Sequence, residues 1–222
     1  MEKEFKIRFI SSLIIIPIAF FFIIKGSIFF TLFLSIFFLV TTYEWLKMTK
    51  FYFIKFCGIS YLIFAFYSAY LLRDSYGEYL FLFIIVICIF TDTGGYIFGK
   101  IFRGPKLIKI SPNKTYSGVV GSFILSTIAG LIYLKYIFFS GFNIVEKSFA
   151  LTESIQFSNS IIMILFISAI SQIGDLIISY FKRIADIKDT GNIIPGHGGF
   201  LDRVDGIIFA VPVSNILFYF LI

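Results

Sequence analysis

Seven stretches with little or no charge dominate this sequence, and they decide most of what the chain can fold into. They cover residues 9–24, 26–43, 56–72, 79–98, 116–134, 154–181 and 206–222, with Asp92 interrupting the fourth and Asp175 the sixth. A helix that crosses about 30 Å of hydrocarbon at 1.5 Å per residue needs ~20 mostly apolar residues, so each stretch reads as a crossing. Those of only 16 to 18 residues ask the flanking Lys and Arg to snorkel, or the bilayer to thin. Backbone in lipid must satisfy its hydrogen bonds within its own segment, which favours helices. The expected fold is therefore all-α, a polytopic integral membrane helical bundle of about seven to nine transmembrane helices. The range reflects 154–181, long enough to break, and 136–142, which can re-enter the membrane or extend the fifth crossing.

Composition excludes the other classes. The chain is 59% hydrophobic and 14% charged with a mean hydropathy of +0.95, whereas a soluble domain is nearer half apolar and a quarter charged. Collagen-like, disordered and disulfide-built classes fail on the same grounds. The two cysteines, Cys57 and Cys88, lie in or beside apolar runs and read as buried structural thiols. Lys3, Lys6 and Arg8 ahead of the first run imitate a secretory leader. No small-x-small site precedes Lys25, so the run is read as a retained first crossing. Without internal repeats, residues 1–222 are read as one domain, with less specific helices over 1–78 and the site-bearing part over 79–222.

Charge supplies the orientation. With the amino terminus in the cytoplasm, residues 1–8, 44–55, 99–115 and 182–205 carry 15 of the 19 Lys and Arg, and Lys25, Arg73, Lys135 and Lys147 face the other way. Cytoplasmic loops of membrane proteins carry this excess. The net charge of +6 follows from it and suits anionic lipid headgroups. The cations are spread over short interhelical loops, so no nucleic-acid partner is expected.

Acidic residues are scarce, and five of the thirteen fall in one 31-residue window, Asp175, Asp186, Asp189, Asp202 and Asp205, together with the only histidine, His197. If the sixth helix runs through Arg183, then Asp175, Ser179 and Lys182 or Arg183 share one helix face. A carboxylate at the membrane depth of Asp175 costs ~2.5 to 3.5 kcal/mol to insert, which makes it a functional candidate; a pair with Lys182 or Arg183 is the structural alternative. Asp202 and Asp205 sit three residues apart at the start of the last helix, where one of them can serve as a cap. Carboxylates gathered without enough cations repel, and a divalent ion relieves the conflict. Hard oxygen ligands that leave room for phosphate favour Mg²⁺, with Asp175, Asp202 and Asp205 as the metal-binding set. The turn Pro195 to Gly199, with His197, Gly198 and Gly199, offers amides to an anion at a helix entrance. One histidine without a nearby cysteine speaks against zinc. The segment from Gly99 to Thr115 has five cations and no acid, and Ser111, Asn113, Lys114 and Thr115 add donors suited to a polyphosphate.

These residues resemble the phosphatidate cytidylyltransferases, the CDP-diacylglycerol synthases. The run Ser179-x-x-Lys182-Arg183-x4-Lys188-Asp189-x-Gly191-x-x-Ile194-Pro195-x-His197-Gly198-Gly199-x-x-Asp202-Arg203-x-Asp205 is similar to that family's signature throughout, and Thr91-Asp92 to Lys100 followed by Ser111-Pro112-Asn113-Lys114-Thr115 to its second stretch. Ser117 stands where the family usually has an acid, and the chain is short for the family. The resemblance implies the reaction of CTP with phosphatidic acid to give CDP-diacylglycerol and pyrophosphate. It also implies Mg²⁺ with room for a second cation, access for membrane lipids, a homodimer, and a bacterial inner membrane with the site facing the cytoplasm. Asp175, Lys182, Arg183, Asp202 and Arg203 are the expected catalytic residues. Ser111, Asn113, Lys114, Ser179, Lys188, Asp189, His197, Gly198 and Gly199 are the expected substrate contacts. A transporter and a CTP-dependent polyprenol kinase are the competing readings.

Overall fold

A computed structural model describes residues 2–108, 111–135, 157–194, 196 and 198–221. Within them six helices follow in order: α1 (Glu2–Lys25), α2 (Ser27–Met48), α3 (Tyr52–Phe102), α4 (Tyr116–Tyr133), α5 (Phe157–Ile184) and α6 (Leu201–Leu221). Five of these, α2 to α6, are long and apolar enough to cross a membrane. This is the architecture of a membrane protein, built from the uncharged runs as expected. Residues 136–142 lie outside the described residues.

Two expectations gain detail. The crossings expected at 56–72 and 79–98 are both present, as the two helical arms of the continuous segment α3. At 1.5 Å per residue it is about 75 Å long, more than twice the hydrocarbon thickness. It bends at Gly77, whose φ of 85° is open to glycine at little cost, so one residue does the work expected of a loop. The all-α class holds, with one short hairpin added. Strands β1 (Lys106–Ile108) and β2 (Ser111–Thr115) pair antiparallel, with Lys106 opposite Thr115 and Ile108 opposite Ser111. A helix breaker pair, Gly104-Pro105, and Pro112 keep this basic segment from continuing α3. Thr115 then caps α4, its hydroxyl accepting from Gly118 N at 3.1 Å.

The larger apolar core joins α1 to α6 through Phe30, Phe83, Ile84, Ile87, Ile164, Ile167 and Phe218. A smaller one gathers Trp45, Met48, Leu62, Ile178, Leu201 and Ile208 where α2, α3, α5 and α6 meet. Buried hydroxyls add interhelical bonds: Thr91 Oγ1 to Ser168 Oγ at 2.8 Å and Ser122 Oγ to the Thr91 carbonyl at 2.7 Å. Cys88 is buried as expected, but Cys57 is exposed, on the rim of an apolar groove.

The two ends of the bundle differ. At one end Arg73 Nε donates to the Ile23 carbonyl at 3.1 Å and sits 3.8 Å from Glu78, while Tyr133 Oη donates to the Tyr79 carbonyl at 2.8 Å. At the other end the segments 44–55, 99–115 and 182–205 converge. The same division of segments emerges from the Lys and Arg tally.

Candidate active site

Helix α5 runs through Ile184, so Asp175, Ser179 and Lys182 do lie along one face. Ser179 Oγ donates to Asp175 Oδ1 at 3.2 Å. Lys114, carried in from β2, reaches Asp175 Oδ2 at 2.5 Å. The basic segment and the acidic window therefore meet, across 61 residues of sequence, near the C-terminal end of α5. Lys182 Nζ turns the other way and binds Asp202 Oδ1 at 2.7 Å.

Asp202 lies in the first turn of α6, where backbone N–H groups lack helical partners. Its Oδ2 accepts from Thr190 N at 2.8 Å and Gly199 N at 3.2 Å, and lies 3.2 Å from Thr190 Oγ1, whose single proton it shares with a second carboxylate. One side chain thus closes the loop between α5 and α6 onto the start of α6. The Gly199 amide, expected to face a substrate anion, is committed to Asp202, because a nearby carboxylate answers the orphan donor first. Gly198 has a φ of 86° and its carbonyl accepts from Ile194 N at 3.2 Å, which tightens the turn. Pro195 and His197 lie outside the described residues.

Asp205, only 7% exposed, accepts from Gly206 N at 2.8 Å. The charges of Asp175 and Asp92 act on it, as does that of Lys182; Asp92 in turn senses Asp175, Lys114 and Arg203. The carboxylates that share one field are thus Asp92, Asp175 and Asp205, and Asp202, which the sequence groups with the last two, is turned toward Lys182 and the loop amides. The reason is its place at a helix start. Arg183, Arg203, Lys188 and Asp189 are exposed at this end of the bundle, and Asp189 packs within 3.4 Å of where a Cβ on Gly198 would stand. Ser111 begins β2 and is half-buried; the backbone of Asn113 lies in the same strand.

The donor chemistry suits a hard divalent ion: three carboxylates in one field with Lys114, Lys182 and Arg203 around them. Among the described residues no group of three His, Cys, Asp or Glu is close enough to enclose an ion. Asp175, Asp202 and Asp205, expected as one metal-binding set, therefore do not enclose a common point in this arrangement.

Two residues escaped the sequence analysis. Glu44, 1% exposed, accepts from Phe200 N at 2.9 Å, Leu201 N at 2.7 Å and Thr190 Oγ1 at 2.9 Å. Thr190 links it to Asp202. The signal was present: Glu44 is the only acid between Glu4 and Asp74, but the charge tally assigns it to a loop. In the structure α2 continues to Met48 and buries it.

Comparison with known sequences agrees with this arrangement. The cytidylyltransferase family matches residues 49–221. The chain belongs to that family. Among its relatives are phosphatidate cytidylyltransferases of Staphylococcus saprophyticus and Staphylococcus haemolyticus, each 37% identical over 181 residues, 79% of this chain and 64% of theirs. One from Rickettsia conorii is 44% identical over 138 residues, 60% of this chain and 55% of its own. The chain thus spans somewhat under two thirds of the length of the relatives it matches. Glu44 falls outside the segment that the family matches, whereas Lys114, Asp175, Thr190 and Asp202 fall inside it.

Proposed function

We propose that this chain is a phosphatidate cytidylyltransferase that joins CTP and phosphatidic acid into CDP-diacylglycerol and releases pyrophosphate. The observation that carries the reading is the convergence of Lys114, Asp175, Lys182 and Asp202 from three separate segments at one end of an apolar bundle. The names borne by the relatives support the same reaction.

A phosphatidate oxygen attacks the α-phosphorus of CTP; the new P–O bond forms as the bond to the pyrophosphate oxygen breaks. The attacking phosphate is already ionised, so the protein's task is positioning and charge neutralisation, with little need of a strong base. Lys114, Lys182, Arg183 and Arg203 bring two polyanions together and neutralise the departing pyrophosphate. Ser111, Lys188, Asp189 and Gly198 would line the approach, the expected contacts Asn113, His197 and Gly199 would serve the same substrate, and Ser179 holds Asp175 in orientation. Asp175 and Asp205 would hold Mg²⁺, with Asp202, one turn from Asp205, as the third carboxylate once it gives up Lys182; a second cation fits the remaining negative charge of Asp92. When bound, the ion supplies Lewis-acid stabilisation of the oxygens that gain charge.

The lipid half of the reading rests on an apolar groove of about 350 Å³ bounded by Trp45, Cys57, Tyr61, Ile178, Phe181 and Leu201. Ile178, Phe181 and Leu201 are the sequence neighbours of Ser179, Lys182 and Asp202, so acyl chains in the groove leave the headgroup beside the charged cluster. The Lys and Arg excess of this end and the bacterial relatives support a cluster at the cytoplasmic face of a bacterial inner membrane. The working form is a homodimer.

The test is to reconstitute the protein in vesicles and follow pyrophosphate with phosphatidate and each nucleoside triphosphate in turn, with and without Mg²⁺. Pyrophosphate formed with CTP, only when both the lipid and the metal are present, is expected. CDP as the product would make the chain a kinase, and no turnover of either kind would overturn the reading.

A further inference from the structure

Glu44 is a buried carboxylate in a protein whose other described site groups come from α3, β2, α5 and α6. Three donors are aimed at it, two backbone amides and one hydroxyl, and it lies in the last full turn of α2, a helix outside the site's own segments. Removing a charge from water costs several kcal/mol unless its hydrogen bonds are replaced, and here three are. The loop is shaped around it. A Cβ on Gly191 would stand 2.6 Å from Glu44 Oε1, and one on Gly199 would stand 2.9 Å from Oε2 and 2.6 Å from Gly191 N while overlapping Thr190 Oγ1. At Gly191 the space a side chain needs is taken by Glu44; at Gly199 it is taken first by Thr190 Oγ1 and the Gly191 amide, with Glu44 behind them. Phe200, whose amide Glu44 holds, is fixed further by Phe37 of the same helix, ring centroids 4.3 Å apart.

The connection reaches the charged cluster in two bonds. Thr190 Oγ1 stands 2.9 Å from Glu44 Oε2 and 3.2 Å from Asp202 Oδ2, and the Thr190 amide donates to the same Asp202 oxygen. Asp202 Oδ1 then holds Lys182. We infer that Glu44 is a positioning residue for the transfer reaction: it anchors Thr190, Phe200 and Leu201, and through them sets where Asp202 and Lys182 stand. The inference rests on the proposed function for its kinetic readout and on the geometry alone for its structural one. Positioning errors near an ångström weaken transition-state contacts more than ground-state ones, so the loss falls on kcat.

Glu44→Gln is close in shape but turns an NH2 toward donors and should leave at least one unpaired. Measured in the full-length protein and normalised to the folded fraction, its kcat is expected to fall at least ~10-fold with the KM for CTP within ~3-fold. Amides of Thr190, Gly199, Phe200 and Leu201 should exchange with deuterium faster, whether or not CTP is the substrate. Because Glu44 acts through Asp202, Glu44→Gln combined with Asp202→Asn should be no slower than Asp202→Asn alone, as coupled sites are not additive. If Glu44→Gln fails to fold, Thr190→Val removes the hydroxyl shared by Glu44 and Asp202, keeps the Thr190 amide bond to Asp202, and carries the same test, with Thr190→Ser restoring the rate. Multiplicative losses in the double variant, or normal kcat per folded molecule in both Glu44→Gln and Thr190→Val, overturn the inference. A wild type that releases no pyrophosphate from CTP defeats the proposed function, and unchanged exchange in the 190–201 loop then still decides against the anchor.

Discussion

Asp175 survives at membrane depth because Lys114 and Ser179 reach both of its oxygens. Asp202 meets a different need, tying the loop and Lys182 to the first turn of α6. Both are short of substitutes. Asp175→Asn leaves Lys114 without its counter-charge, and Asp202→Asn can no longer accept on both oxygens. Each variant should insert normally yet release pyrophosphate at least ~10²-fold more slowly, the scale of losing one key electrostatic group; near-normal turnover would refute the roles given to them. Lys106, in β1 opposite Thr115, has no described contact with these carboxylates. Lys106→Ala is therefore expected to raise the KM for CTP modestly and spare kcat, and a loss as deep as that of Asp175→Asn would reverse the ranking of the two segments. Ser117, where the family usually places an acid, ties the hairpin instead: its hydroxyl donates to the Arg103 carbonyl and lies 2.9 Å from Thr115 Oγ1.

Among the elements, α3 and α4 approach most closely, and small residues explain it. Gly94 and Gly95 lie within α3 and face Gly121, Ser122 and Gly118 of α4. Helices in lipid gain little from apolar burial against each other, so close backbone approach at small residues carries the association. The register of α4 sets where β2, and hence Lys114, arrives. On Gly121 a side chain would run into Phe98. Gly121→Val should lower stability by about 1 to 3 kcal/mol, the usual cost of overpacking, read as a reduced Tm in detergent. The groove between α2, α3, α5 and α6 makes a separate prediction. Cys57, exposed on its rim, is replaceable, and Cys57→Trp should raise the KM for long-chain phosphatidate several-fold while leaving that for CTP alone. Equal effects on both substrates would remove the acyl chains from this groove.

The whole molecule is polarised. Lys114 meeting Asp175 and Glu44 meeting Phe200 bring three of the four Lys- and Arg-rich segments to one end, and Arg73 meeting Ile23 brings two of the sparse ones to the other. In a Cys57→Ser/Cys88→Ser background, Leu107→Cys and Lys188→Cys should react with an impermeant thiol reagent only from the cytoplasmic side. Asp74→Cys should react only from the opposite side. Labelling of all three from one side would undo the orientation.

Much of this was open to reading along the chain. Uncharged runs dictate apolar helices because lipid leaves the backbone no other partner, and the window from Asp175 to Asp205 announces charge chemistry because carboxylates beside a membrane are costly. Two things depended on the folded chain. The non-helical φ/ψ at Gly77 sets where one apolar helix stops and the next begins, and no count of charges records it. The pairing of Asp175 with Lys114 and of Glu44 with the α6 entrance joins residues 61 and 156 positions apart or more, and only packing brings such partners within a hydrogen bond of each other. Local composition sets which groups are expensive to bury; long-range contact alone decides which partner makes the burial tolerable.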